Sequence, residues 1–238
     1  MATIAFVSQK GGVGKSALAR SLAVEAVRAG ISVKIADLDT QQKTAVDWNC
    51  RRLAARMEPV VEVQAFGTAA QAIQAASNFD LLIIDGPARF SKATAEIAKA
   101  SDLVVQPTGG TLDDMLPGVR EFHALLKAGV SAKRLAFALT KVPSDVIERE
   151  AREYLETAGY AVLGGSLLFK AAYGKALDIG RAVTETSHVT LNDQALTLIN
   201  ALVARIGEES DAPAAEANRR RPKPQKAAKK PPRRAAVG

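Results

Sequence analysis

Between Lys10 and Ser16 the chain reads Lys-Gly-Gly-Val-Gly-Lys-Ser, after a strand-like run (Thr3 to Ser8) and before a helix-like one (Ala17 to Arg28). Residues of these types at this spacing suit a chain of phosphates. A glycine turn lets backbone N–H groups point inward, here those of Gly11, Gly12, Val13 and Gly14, and the helix N-terminus at Ala17 adds partial positive charge. Lys15 is then placed to meet the terminal phosphates, and the Ser16 hydroxyl to ligate Mg2+. Lys10 is the unusual residue, because a phosphate cradle in one subunit has no need of it.

Two ligands compete for this loop. The strict pattern G-x-x-x-x-G-K-[ST] asks for glycine where the chain has Gln9. The same segment also reads Gly12-x-Gly14-x-x-Ala17, a dinucleotide fingerprint, with Asp37 ending the second strand where a ribose-binding acid belongs. That alternative is an NAD(P)-dependent oxidoreductase. Lys15 and Ser16 have no task in it, whereas a magnesium nucleotide requires both. A second carboxylate, Asp85, closes the apolar strand Leu81-Leu82-Ile83-Ile84, where a nucleoside triphosphatase keeps a magnesium-shell acid. These residues favour the triphosphate.

Lys10 to Ser16 resembles the deviant Walker A motif of the ParA/MinD ATPases, whose signature is the additional lysine. Ala36-Asp37-Leu38-Asp39-Thr40-Gln41 is similar to the family's second acidic motif, with Thr40 in place of the usual proline. Phe79 to Pro87 is similar to its Walker B strand, and Ser101 to Pro107 with Thr111-Leu112-Asp113 to the strand and loop that follow. The resemblance spans residues 1 to about 206 and is nearest to short ParA proteins. It implies ATP/ADP and Mg2+ as ligands, and Lys10 reaching across an ATP-dependent homodimer to the partner's nucleotide. It assigns Asp37 to the attacking water and Asp39 to the magnesium shell or the dimer interface. Alternation along a strand would otherwise send these two side chains to opposite faces. Pro107, Thr140 and Lys141 would border the nucleotide, Thr140 standing where many relatives have an adenine-reading Asn. Lys170, Lys175 and Arg181 fall where relatives touch DNA. The implied activity is ATP hydrolysis, weak without DNA and a ParB-like or cargo-adaptor protein.

The elements that must hold these residues alternate along the chain. Strands are expected at 3–8, 33–37, 61–65, 81–85, 103–107, 134–140 and 161–168. Helices are expected near 16–29, 41–56, 69–77, 91–100, 112–128, 145–158, 172–180 and 190–207. Strands apolar throughout are buried on both faces, so the fold class is α/β: one P-loop domain whose mostly parallel, twisted sheet is covered by helices on both sides. Ligands of such sheets bind at the carboxyl ends of the strands.

Charge divides the chain in two. Nine of the 32 Lys and Arg lie beyond residue 216, where there is no acid, leaving 23 basic against 25 acidic residues before it. The ATPase domain is therefore expected at 1–207 and a disordered Ala/Pro/Lys/Arg tail at 208–238, which lacks large apolar residues except Val237. Arg219, Arg220, Arg221, Lys229 and Lys230 within it suit non-specific contact with DNA phosphates. The tail offers no apolar face for a MinD-like membrane-associated switch. No apolar run approaches the ~18 residues of a membrane span, and no leader precedes the first strand, so the expected place is the cytoplasm, on the nucleoid. A lone cysteine, Cys50, excludes an intrachain disulfide and any CxxC metal or cluster site.

Overall fold

The computed structural model describes residues 1–88 and 91–219, with 208–219 described by backbone alone. Seven strands form the centre: β1 (Ala2–Phe6), β2 (Val33–Asp37), β3 (Glu62–Ala65), β4 (Leu81–Asp85), β5 (Leu103–Thr108), β6 (Leu135–Val142) and β7 (Ala161–Leu168). Among the described residues eight α-helices connect and follow them: α1 (Lys15–Arg28), α2 (Thr44–Ala54), α3 (Ala69–Ala75), α4 (Lys92–Lys99), α5 (Leu112–Lys127), α6 (Asp145–Thr157), α7 (Ala171–Asp178) and α8 (Val189–Arg219). The sheet order is β3-β2-β4-β1-β5-β6-β7, and every pairing is parallel.

Strand composition explains the layering. Along β4, Leu82 and Ile84 pack into a cluster with Phe122, Leu125 and Phe137 on one side of the sheet. Leu81 and Ile83 pack with Leu18, Leu22, Trp48 and Leu198 on the other. Full burial of each such side chain contributes about 1.5–3 kcal/mol, and only a strand covered on both faces can use four apolar residues in succession.

Register brings the chemistry together. Asp85 is level with Phe6 on β1 and with Asp37 on β2. The carboxyl ends of three strands therefore meet where β1 runs into the glycine loop. β1 is also the switch point, since the chain leaves it toward β2 on one side while β5 lies on the other. Gly86 makes the meeting possible. Its N–H donates to the Phe6 carbonyl at 3.0 Å, and a Cβ there would lie 2.7 Å from that same oxygen.

The last helix departs from expectation. It runs to Arg219 rather than ending near 207. The boundary expected at 207 thus falls within the span of α8, in a stretch that carries four Ala and three Glu together with Pro213. Arg220, Arg221, Lys229 and Lys230 lie outside the described residues, and Arg219 ends α8 without a described side chain.

Candidate nucleotide site

The loop from Gln9 to Gly14 is shaped as a cradle. Gly12 and Gly14 have φ of +72° and +108°, left-handed values that favour glycine, and Gly14 is the N-cap of α1. Among the described residues, the N–H groups from Gly11 to Ala17 donate to no protein acceptor. A run of unpartnered donors at a helix N-terminus fits a polyphosphate. Lys15 is 8 % exposed; burial lowers its pKa, opposed by the charges of Asp85, Glu121 and Asp39.

Asp85 is buried at the end of β4, and neither of its oxygens has a hydrogen-bond partner. Burial pushes its carboxyl up to about 6, against the pull of the Ser16 hydroxyl, with the Asp37 charge raising it further. Such an orphaned carboxylate beside a hydroxyl fits Mg2+, which takes one or two carboxylates and completes its shell with phosphate and water. Ser16 Oγ lies 2.9 Å from Thr44 Oγ1 at the start of α2. Thr44 was not singled out from sequence, although a hydroxyl opening the helix after the second acidic motif is its signal.

The two acids of that motif separate cleanly. Asp37 is fully buried, and its carboxylate is occupied: Oδ2 accepts from the N–H groups of Ala45 at 2.9 Å and Val46 at 3.4 Å, and Oδ1 from Asp39 N–H at 3.0 Å. Burial raises its pKa against these three bonds. It ties the start of α2 to β2 through these three backbone N–H groups, whereas the resemblance implies a place for it beside the attacking water. Asp39 is half-exposed, lines the phosphate cavity and accepts from Gln42 N–H at 3.1 Å. Of the two acids, Asp39 is the one that faces the cavity.

Lys10 stands at the rim with its side chain 47 % exposed, paired with Asp114 in the first turn of α5. Asp114 also accepts from the Thr111 hydroxyl at 2.8 Å, and the Lys10 partner holds its pKa down. Lys141 has a left-handed backbone (φ 54°) beside a register shift in β6, and its Nζ lies 3.9 Å from where a Gly12 Cβ would be. It overhangs the glycine loop.

Two cavities adjoin at Gly14, Ala17, Lys141 and Leu177. One, of about 270 Å³, holds the phosphate-loop residues with Ser16, Asp39 and Thr44. The other, of about 350 Å³, is apolar and lined by Leu167, Leu168, Phe169, Tyr173 and Thr140. Thr140 borders it, but its hydroxyl is turned away, donating to the Val13 carbonyl at 2.6 Å. It braces the loop instead of reading a base. Pro107 is buried inside β5 opposite Ala138 and lines neither cavity. Its missing N–H falls past the last residue of β1, Phe6, where no ladder bond is forfeited.

Arg20, one turn beyond Ser16, is 6 % exposed, with its guanidinium 5.6 Å from the Trp48 ring centre and its Nε without an acceptor. Burial brings its pKa down to about 10, with the Asp85 charge working against the fall. The three expected DNA contacts do not form one cluster. Lys175 and Arg181 share a surface cavity with His188, whereas Lys170 lines the apolar cavity. Among the described residues no group of three or more His, Cys, Asp or Glu could hold a metal, and no helix is long and apolar enough to cross a membrane.

Residues 4–183 match the family model of the CobQ/CobB/MinD/ParA nucleotide-binding domain. The chain belongs to this family. Its solved neighbours include cell-division and partition proteins. The MinD cell division protein of Aquifex aeolicus superposes with a TM-score of 0.69 at 13% identity, over 86% of this chain and 98% of that one. A putative plasmid partition protein of Borrelia burgdorferi bound to AMPPNP gives 0.67 at 13%, over 86% and 99%. The ATP complex of a Cyanothece McdA variant gives 0.63 at 17%, over 85% and 96%. A search of the curated proteins finds no match. At these identities the neighbours establish the fold: a ParA/MinD-type P-loop domain.

Proposed function

We propose that this chain is an ATP-dependent positioning switch. Two ATP-bound copies pair face to face, with Lys10 of each on the other's phosphates. The pair holds nucleoid DNA without sequence preference, and a cargo-bound adaptor, ParB-like or otherwise, stimulates hydrolysis and release. The cargo is a plasmid, a chromosome or a protein assembly.

The observation that carries this reading is Lys10. It lies outside the cradle that Lys15 and the loop N–H groups already complete, and its side chain is half-exposed at the rim. A cation supplied from a second subunit stabilises the charge that spreads over the γ-phosphate oxygens during phosphoryl transfer. Within one copy Lys10 is engaged by Asp114, so pairing must exchange that carboxylate for the partner's phosphates.

The remaining residues divide the work. Loop N–H groups and Lys15 bind the phosphates, Ser16 and Asp85 would hold Mg2+, and Asp39 orients the attacking water. Bound there, Mg2+ supplies Lewis-acid neutralisation of the phosphate oxygens. Lys175 and Arg181 on the surface, with the nine cations after residue 216, are the groups available to DNA. The dinucleotide reading leaves Lys15, Ser16 and the orphaned Asp85 without tasks.

The test is DNA retention by the full chain with Mg-ATP, Mg-ADP or no nucleotide, on two unrelated duplexes at fixed salt. The reading expects strong retention with ATP alone and equal retention of both sequences. Retention independent of nucleotide would contradict it.

A further inference from the structure

Helix α5 holds the phosphate loop a second time, away from solvent. Two turns beyond Asp114 it carries Glu121, which is fully buried. Glu121 Oε2 accepts the Gln9 N–H at 3.1 Å and the Gln106 side-chain N–H at 3.0 Å. Gln9 is the residue that breaks the strict loop pattern, and it immediately precedes Lys10. The close approach of α5 to β5 here depends on Gly118, where a Cβ would lie 2.8 Å from the Phe137 ring and 2.9 Å from Gln106 Nε2.

Two buried oxygens in this cluster have no donor: Glu121 Oε1 and Gln106 Oε1. They are the two remaining atoms of one acid–amide pair. The pair already shares an N–H···O bond, and a proton on the carboxyl gives the cluster the donor that its two remaining oxygens lack. An ionised carboxylate accepts only, so it leaves both oxygens unsatisfied at a cost in desolvation.

We propose that Glu121 is a positioning residue for the phosphate loop, carried as the neutral acid in a pair with Gln106, so that it fixes the Gln9 N–H without placing a negative charge behind the phosphates. This rests on the nucleotide-binding reading of the loop and on no other part of the proposed function. Three elements face Glu121. The loop brings the Gln9 N–H and β5 brings Gln106, neither of them charged, and α1 brings the Lys15 ammonium. Burial outweighs these partners and pushes the carboxyl up to about 7. A carboxylate formed above that pH would draw on Lys15, the lysine the phosphates need.

Glu121→Gln keeps every bond of the neutral acid, its amide N–H replacing the acid O–H, and it cannot ionise. Glu121→Ala removes the Gln9 bond at any pH. The test measures Mg-ADP affinity with a fluorescent ADP analogue, and melting temperature without nucleotide, for all three proteins at pH 6 and pH 8. The Gln variant is expected to match wild type at pH 6 and to bind about threefold tighter at pH 8, the scale of half a pK unit of charge coupling. Without nucleotide, its melting temperature should exceed that of wild type by several degrees more at pH 8 than at pH 6, because the unfolded carboxyl ionises from about 4.5 and the folded one only at about 7. The Ala variant should bind more weakly at both values. Because each comparison is between variants at one pH, titration of Asp85 cancels. A Gln variant as impaired as Ala, unable to fold, or offset from wild type equally at both pH values would overturn the proposal. Wild type that binds no Mg-ADP would instead sink the nucleotide reading, and the melting comparison would still judge Glu121.

Discussion

Asp37, Asp39 and Asp85 look interchangeable in sequence and differ entirely in surroundings. Asp37 is filled by three backbone N–H groups, Asp39 is open to the phosphate cavity, and Asp85 is buried with nothing to accept from. Asp37→Ala should therefore cost stability, about 1–3 kcal/mol in urea unfolding, because the first turn of α2 loses its acceptor. Asp39→Ala should keep nucleotide binding and lower single-turnover hydrolysis by about 10²-fold or more. Asp85 makes a pH prediction with two opposite signs. Its folded pKa is raised to about 6 from the ordinary 3.8, so without metal the protein gains stability as pH falls through about 6 toward 3.8. Metal binding needs the ionised form, so the Mg2+ dependence of nucleotide binding should weaken about tenfold per pH unit below 6. Asp85→Asn should abolish that metal dependence and raise the melting temperature at pH 8. A variant that melts below wild type there would contradict this, showing that the Ser16 hydroxyl and the neighbouring Arg20 and Lys15 favour the buried charge by more than burial opposes it.

At the scale of elements, one helix and one glycine position the loop. α5 meets it at its rim through Asp114 and at its base through Glu121. β4 meets it across Gly86, where Ala would force the strand end away from the Phe6 carbonyl; Gly86→Ala should cost about 1–3 kcal/mol and loosen nucleotide binding, checked by denaturant unfolding and by titration. The parallel sheet and the place of the site were legible in the sequence. Leu81 to Ile84 can only be a strand covered on both faces, and the glycine loop announces itself by residue type. What could not be read was which side chains α5 turns inward. Asp114 and Glu121 lie about 100 residues from the loop they hold, and no local pattern marks a carboxylate that will be buried. The bond of the Thr140 hydroxyl was hidden for a similar reason: β-strand alternation says which face it takes, not that the Val13 carbonyl waits there.

At the scale of the whole molecule, a slightly acidic body of 23 basic and 25 acidic residues is joined to nine cations after residue 216. If about five of them contact phosphate, removing 217–238 should flatten the dependence of log K on log salt by roughly 4 units, with Lys175 and Arg181 supplying what remains. An unchanged slope would move the DNA contacts onto the folded domain. Pairing governs whether one basic arm or two reach the same duplex, and two arms on one duplex bind far more tightly than either alone. The central claim is therefore that ATP pairs two copies through Lys10. Sedimentation velocity of wild type and Lys10→Ala, each with Mg-ATP and with Mg-ADP, tests it most directly. The account predicts a dimer for wild type with ATP, monomers with ADP, and monomers for Lys10→Ala under both conditions despite retained nucleotide binding. A Lys10→Ala protein that dimerises with ATP as wild type does would contradict it.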